Sequence, residues 1–284
     1  MKAGTALLLL PQLALTGGLL LFSQFVFLST SFHEDLGLGQ VGAEFTLTNY
    51  IAVWHEPQYL QGLRLTLSLS VMVVLATLIA AWPVAYLLSR MRPRLATMIL
   101  TSVVVTSFVP LPIKTLGLMI VFSADGALLG VLRSLDLVGP QFRFLGSQFA
   151  VGVGYFHLGI AYMVMMLFST MQAIPQRLIE AARIHGASSL RALWRVVVPL
   201  SLPGTLSASL VLFNLLSGAF VSAMLLGGGR VLTLPVLIQQ ALILHTEYGV
   251  AATLSVILLL IVMATSLLSV LLAAKLSPSA RVMT

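Results

Sequence analysis

Six long apolar runs organise the chain. Ala3–His33, Leu65–Ser89, Phe144–Gln176, Val196–Gly229 and Tyr248–Ala274 contain no Asp, Glu, Lys or Arg, and Leu95–Ile113 continues past Lys114 to Ala124. A helix needs about 20 mostly apolar residues to cross roughly 30 Å of hydrocarbon. The runs are continuous and do not alternate, so they predict helices rather than barrel strands. The predicted spans are residues 7–30, 64–89, 95–122, 148–172, 203–226 and 249–274. The first run is about twice as long as a signal-peptide core and has no Ala-x-Ala ending, so a retained membrane helix is expected.

Polar stretches separate the runs. Residues 31–62 form a long polar loop in which Tyr50, Trp54 and Tyr59 are expected at the membrane interface. In the loop 123–147, Leu128, Leu129, Leu132 and Leu135 recur at helical spacing, which predicts a short surface helix. The loop 227–248 opens with three glycines and continues as an apolar segment, 234–244, expected to be a partly buried helix. Arg90-Met-Arg-Pro-Arg94 reads as a tight basic turn. No repeat, low-complexity tract or soluble domain is visible.

Composition removes several function classes. Only 8% of the 284 residues are charged, against roughly 25% in soluble domains. That excludes a soluble enzyme, a nucleic-acid-binding domain or a disordered protein as a first reading. Cysteine is absent, which removes disulfides, Cys-based metal sites and thiol catalysis. The net charge of +7 is a matter of topology. With the N-terminus inside and six crossings, Lys2, Arg90, Arg92, Arg94, Arg177, Arg183, Arg191, Arg195, Lys275 and Arg281 fall inside, ten of the 15 basic residues. Arg64, Lys114, Arg133, Arg143 and Arg230 fall outside or near the outer boundary. Glu180 is the one acidic residue inside, while Glu34, Asp35, Glu44, Glu56, Asp125, Asp136 and Glu247 fall outside. The positive-inside rule then places both termini in the cytoplasm.

One inner loop has an unusual order of residues. Pro175 suits a helix start. Gln176 to His185 is a good helix former, and Gly186 stands where a C-cap takes a left-handed residue. Ser188 is a plausible N-cap for a second helix, whose apolar face would carry Leu190, Leu193, Trp194 and Val197. Pro199 is expected to stop that helix, and Pro203-Gly204 to open the next span. By composition alone this is an amphipathic loop on the inner membrane surface.

Glu180-Ala181-Ala182, then Gly186, then Val198-Pro199 resembles the EAA loop of the inner-membrane permeases of binding-protein-dependent ABC importers. The likeness extends through Pro175, Ala187, Ser188 and Pro203-Gly204. It implies an all-α polytopic protein of the type I ABC importer (MetI-like) permease fold. The whole chain, 1–284, would be one permease domain with 175–204 as its cytoplasmic coupling loop. The resemblance further implies a bacterial inner-membrane location, a second homologous permease in a heterodimer, two cytoplasmic ATPases and a periplasmic or lipid-anchored solute-binding protein. Glu180 would contact the ATPase, Ala181 and Ala182 would allow close approach, and Gly186 and Ala187 would set the corner. No P-loop is present, so ATP and Mg would be bound by the partners, with no cofactor, metal or catalytic residue in this chain. The scattered His33, His55, His157, His185 and His245 suggest no metal site, and Gly186-Ala-Ser188 is no nucleophile elbow because it lies between helices.

Within that family the chain resembles the spermidine/putrescine-type permeases, through Phe108-Val-Pro-Leu-Pro-Ile113, Leu225-Leu-Gly-Gly-Gly-Arg230 and Tyr248-Gly-Val-Ala-Ala252. A polyamine-type solute is therefore expected, although no span holds a carboxylate to meet it. Candidate path residues are the polar and aromatic ones within spans: Asn214, Tyr155, His157 and Lys114, each weighed against simple packing or, for Lys114, snorkelling to the outer interface. Pro110 and Pro112 should interrupt the third span beside Lys114, and Ser217 and Gly218 suit close helix contacts. The rival classes are an ion-coupled secondary transporter or channel and a purely structural subunit. Ion coupling usually needs intramembrane acids, and none is present.

Overall fold

The computed structural model describes residues 3–139 and 141–276. Lys2 and Arg281, placed inside by the charge pattern, lie outside the described residues. The order is α1 (Ala3–Ser31), β1 (His33–Gly37), β2 (Gln40–Phe45), α2 (Thr48–His55), α3 (Pro57–Arg90), α4 (Pro93–Ser107), α5 (Leu111–Phe122), α6 (Ala127–Ser134), α7 (Gln148–Gln172), α8 (Gln176–Ile184) and α9 (Ser189–Ala192). A π-helical turn, Leu193–Val197, leads into α10 (Val198–Ser217), followed by α11 (Val221–Gly227) and α12 (Leu234–Gln239). A second π turn, Gln240–Leu244, precedes α13 (Tyr248–Leu276). Among the described residues, six helical stretches are long and apolar enough to cross a membrane. Each overlaps one of the six apolar runs, but the third takes in α5 and α6, Leu111–Ser134, and leaves α4 as a shorter apolar helix, and the fifth begins at Ser189.

Four local features depart from the sequence reading. The polar loop 31–62 holds an antiparallel β-hairpin, β1 with β2, and the short helix α2. The second span begins at Pro57, seven residues early, because Pro at a first helical position removes only an N–H that has no partner anyway. The fifth span ends at Ser217, and α11 resumes after a break at 218–220. Finally, Pro199 does not stop a helix. The backbone runs helically from Ser189 to Ser217. The π turn just before Pro199, closed by Val198 N–H to Leu193 O, widens the coil where the proline ring would strike the carbonyl of residue 195. Pro203 is carried inside the same helix. The third span is interrupted at 108–110 beside its prolines, as the sequence predicts.

The contacts divide the chain into two units, residues 1–64 with 234–260, and residues 65–233 with 261–284. In the first unit, Asp35 organises the hairpin and the start of α13. Its Oδ1 accepts from Gly37 N–H at 2.9 Å, and its Oδ2 accepts from Gly249 N–H at 2.7 Å and Val250 N–H at 3.4 Å. A carboxylate there answers both the orphan N–H groups and the positive end of the helix. Buried Asn49 donates to Ser31 O and His33 O, at 3.2 and 2.7 Å.

The second unit is built around α7, which packs on α10, α11 and α5. Glycines set the close approaches. A Cβ at Gly154 would meet Leu226 and Ser222 of α11, one at Gly159 would meet Leu212 of α10, and one at Gly204 would meet Thr170 of α7. Such small-residue seams are how helices associate in lipid, where hydrophobic burial gives no drive.

Candidate functional site: an open helical corner and a lysine-lined cavity

The corner between α8 and α9 is built from local rules. Pro175 is the N-cap residue of α8, in extended conformation. At the other end Gly186 takes φ +82°. Its N–H reaches Arg183 O at 2.9 Å and the Ala187 N–H reaches Ala182 O at 3.0 Å, the paired bonds of a Schellman cap. Ser188 caps α9, its Oγ accepting from Arg191 N–H at 3.3 Å. Arg183 Nη2 donates to Ser189 Oγ at 2.8 Å across the corner, so the angle between the two helices is pinned from both sides.

The outer surface of this corner is open. Glu180 is exposed, with one oxygen accepting from Gln176 Nε2 at 3.1 Å. Ala181 is exposed and Ala182 half-buried. Of the predicted apolar face, Val197 is buried and Leu193 half-buried. Leu190 and Trp194 instead remain 65% and 64% exposed, beside Ile184 at 84%. Small and apolar side chains around one carboxylate form a surface that no described residue covers.

Arg90 is a residue of this region that sequence inspection counted only as inner charge. Its guanidinium lies 3.4–3.5 Å from Ile174 O, the carbonyl just before Pro175, and 5.7 Å over the Tyr86 ring, which stacks on Trp82. A cation at the end of α7 complements the helix dipole and holds the chain where it turns into α8. The signal in sequence was the spacing of Trp82, Tyr86 and Arg90, one helical face of α3.

The four path candidates separate. Lys114 and His157 line one cavity of about 360 Å³ with Ser102, Thr106 and Ser107 of α4. Lys114 Nζ lies 3.5 Å from Ser107 O, across the break between α4 and α5. Tyr155 is fully buried, and its OH donates to Ala219 O at 2.6 Å. Ala219 belongs to the break between α10 and α11. Enclosure takes Tyr155 off any surface a solute could touch in this conformation. Asn214 is half-buried and clamps α10 to α13: its amide donates to Ser266 Oγ at 2.9 Å and accepts from the Thr265 hydroxyl. Ser217 is buried and lies 3.4 Å from Ser70 Oγ of α3.

Comparison with known proteins covers most of the chain. The family model described as the binding-protein-dependent transport system inner membrane component matches residues 72–282. The spermidine/putrescine transport system permease protein PotB of Haemophilus influenzae is 27% identical over 229 residues, covering 81% of this chain and 80% of that protein. Its Escherichia coli namesake is 29% identical over 219 residues, covering 76% and 79%. A solved bacterial ABC transporter involved in the import of the acidic polysaccharide alginate contains a chain that matches with TM-score 0.77 at 15% identity, over 96% of each chain. That last likeness concerns the fold.

Proposed function

The chain belongs to the family of binding-protein-dependent transport system inner membrane components, and from that premise we propose that it forms one half of the pore of an ATP-driven importer for a small organic solute. It is an ABC importer permease subunit, multi-pass in the bacterial inner membrane, and a transport subunit rather than a catalytic one. A second homologous permease completes the pore in a heterodimer. Two cytoplasmic ATPases bind ATP and Mg. A periplasmic or lipid-anchored binding protein delivers the solute, and both termini are cytoplasmic. The relatives' names make a polyamine the first compound to test.

The observation that carries this reading is the open α8–α9 corner. Glu180 meets the ATPase, Ala181 and Ala182 let its cleft close on α8, and Gly186 with Ala187 fixes the angle of entry. ATP binding draws the two ATPases, and with them the two corners, together. The unbroken helical backbone from Ser189 to Ser217 then carries that displacement into the span. For ATP to do this it must bind the two states with different affinity.

The test is copurification with the co-encoded neighbours. An ATPase should accompany the chain, and its activity should rise when the periplasmic protein and its ligand are added. Glu180→Lys should still assemble in the membrane but lose ATP-driven uptake; full uptake by that variant would sink the docking role. Uptake driven by a proton or sodium gradient, with no ATPase bound, would favour a secondary transporter instead.

A further inference from the structure

We infer that the transported solute carries an oxyanion group, a carboxylate or a phosphonate, received in the Lys114–His157 cavity; this rests on the permease reading above. The cavity of about 360 Å³ lies between α4, the start of α5 and α7. Its charged group is an ammonium. An ammonium among apolar helices is costly unless it faces a polar space or a partner, and Lys114 has three donors of which Ser107 O, at 3.5 Å, takes at most one.

The hydroxyls around it do not compete as donors. Ser102, Thr106 and Ser107 give their protons to Met98 O, Ser102 O and Val103 O, at 3.0, 2.8 and 2.9 Å. The donors left to a guest are Lys114 and His157.

Nothing nearby offsets the positive sign. No carboxylate lines the cavity, and no Asp or Glu lies in α3, α4, α5, α7, α10 or α13. A second cavity of the same unit, about 330 Å³, is lined by Arg143 and Arg230, again without a carboxylate. A cation brought against Lys114 meets a like charge, whereas an oxyanion gains charge-assisted hydrogen bonds.

The chain has no cysteine, so one introduced thiol reads the cavity directly. Ser102→Cys is made in the full transporter complex in nanodiscs, with the unsubstituted complex as background. The probes are the anionic sulfonatoethyl and the cationic trimethylammonioethyl methanethiosulfonates, each normalised to its rate with free 2-mercaptoethanol. The anionic reagent should be favoured by about tenfold, the scale of one charge-assisted hydrogen bond. Lys114→Leu in the same background should abolish the preference, and Lys114→Arg should keep it. A normalised preference for the cation, an unchanged ratio in Lys114→Leu, or no reaction with either reagent would overturn the inference.

In ATP-driven uptake by the unsubstituted complex, 2-aminoethylphosphonate and glutamate serve as the phosphonate and carboxylate arms, with spermidine as the cationic arm. Either oxyanion above spermidine supports the inference; spermidine above both overturns it. Failure of the permease reading looks different: no ATPase copurifies, while the anionic preference stands in Ser102→Cys of the full chain placed alone in nanodiscs.

Discussion

Tyr155→Phe tests whether the break in the fifth span is held by one hydroxyl. The substitution keeps the ring that α7 buries and removes only the OH that donates to Ala219 O at 2.6 Å. Because the ring stays, no cavity forms, and the cost is that of an unsatisfied buried carbonyl, about 1–3 kcal/mol. Tyr155→Ala adds the lost ring and should cost roughly 3–5 kcal/mol. For a chain of this size each kcal/mol moves the melting temperature by about 2–4 °C, so the Phe variant should melt several degrees lower in detergent. Membrane proteins often unfold irreversibly, so scan rate must be held fixed between variants. Uptake at low temperature should survive, since a fully buried side chain touches no solute. An unchanged melting temperature would mean Ala219 O has another partner. A normal melting temperature with abolished uptake would refute the reasoning outright and return Tyr155 to the path.

Other substitutions separate conformational, capping and clamping roles. A Cβ at Gly186 would meet nothing within 4 Å, so Gly186→Ala should cost only the left-handed backbone, roughly 1–2 kcal/mol, and should lower uptake per ATP hydrolysed; Gly186→Asn, which tolerates that conformation better, should lie between. Asp35→Ala removes the acceptor of Gly249 N–H and Val250 N–H and should cost about 0.5–2 kcal/mol in melting experiments, with Asp35→Asn milder. Asn214→Leu breaks the clamp to Thr265 and Ser266; intramembrane hydrogen bonds average about 0.6 kcal/mol, so a small loss of stability with uptake retained is expected, and lost uptake at unchanged stability would make Asn214 a contact of the solute.

Legibility in the sequence followed the range of each interaction. The α8–α9 corner was readable because its determinants are neighbours: Pro175, Gly186 and Ser188 act on backbone groups within a few residues. The six spans were readable because lipid imposes one length and one composition. Pro199 misled because proline was judged alone, and the π turn at 193–197 that accommodates it leaves no compositional mark. The hairpin at 33–45 was hidden by Gly37 and Gly39 flanking an exposed leucine, Leu38, with polar and apolar residues in no regular alternation. Tyr155 looked like a pore residue because polarity in a span signals function or a partner, and its partner, Ala219 O, lies 64 residues away in the chain. Asp35 and Gly249, 214 residues apart, were out of reach for the same reason.

Those distant bonds bear on how force would travel in the proposed mechanism. The corner is joined to the rest of the second unit at two points. At one, α7 arrives through Ile174, whose carbonyl Arg90 holds. At the other, the helix through Leu193–Val197 departs into α10 without interruption. The helices α7 and α10 then meet along glycine seams, at Gly204 with Thr170 and at Gly159 with Leu212, and Tyr155 on α7 closes the far end of α10 at Ala219. A pull on the corner therefore acts on the two helices as one block, because sliding one past the other would need glycine-tight contacts to part. Widening a seam should uncouple them: Gly159→Leu, which drives a bulky side chain into Leu212, should lose uptake before it loses ATPase binding at the corner.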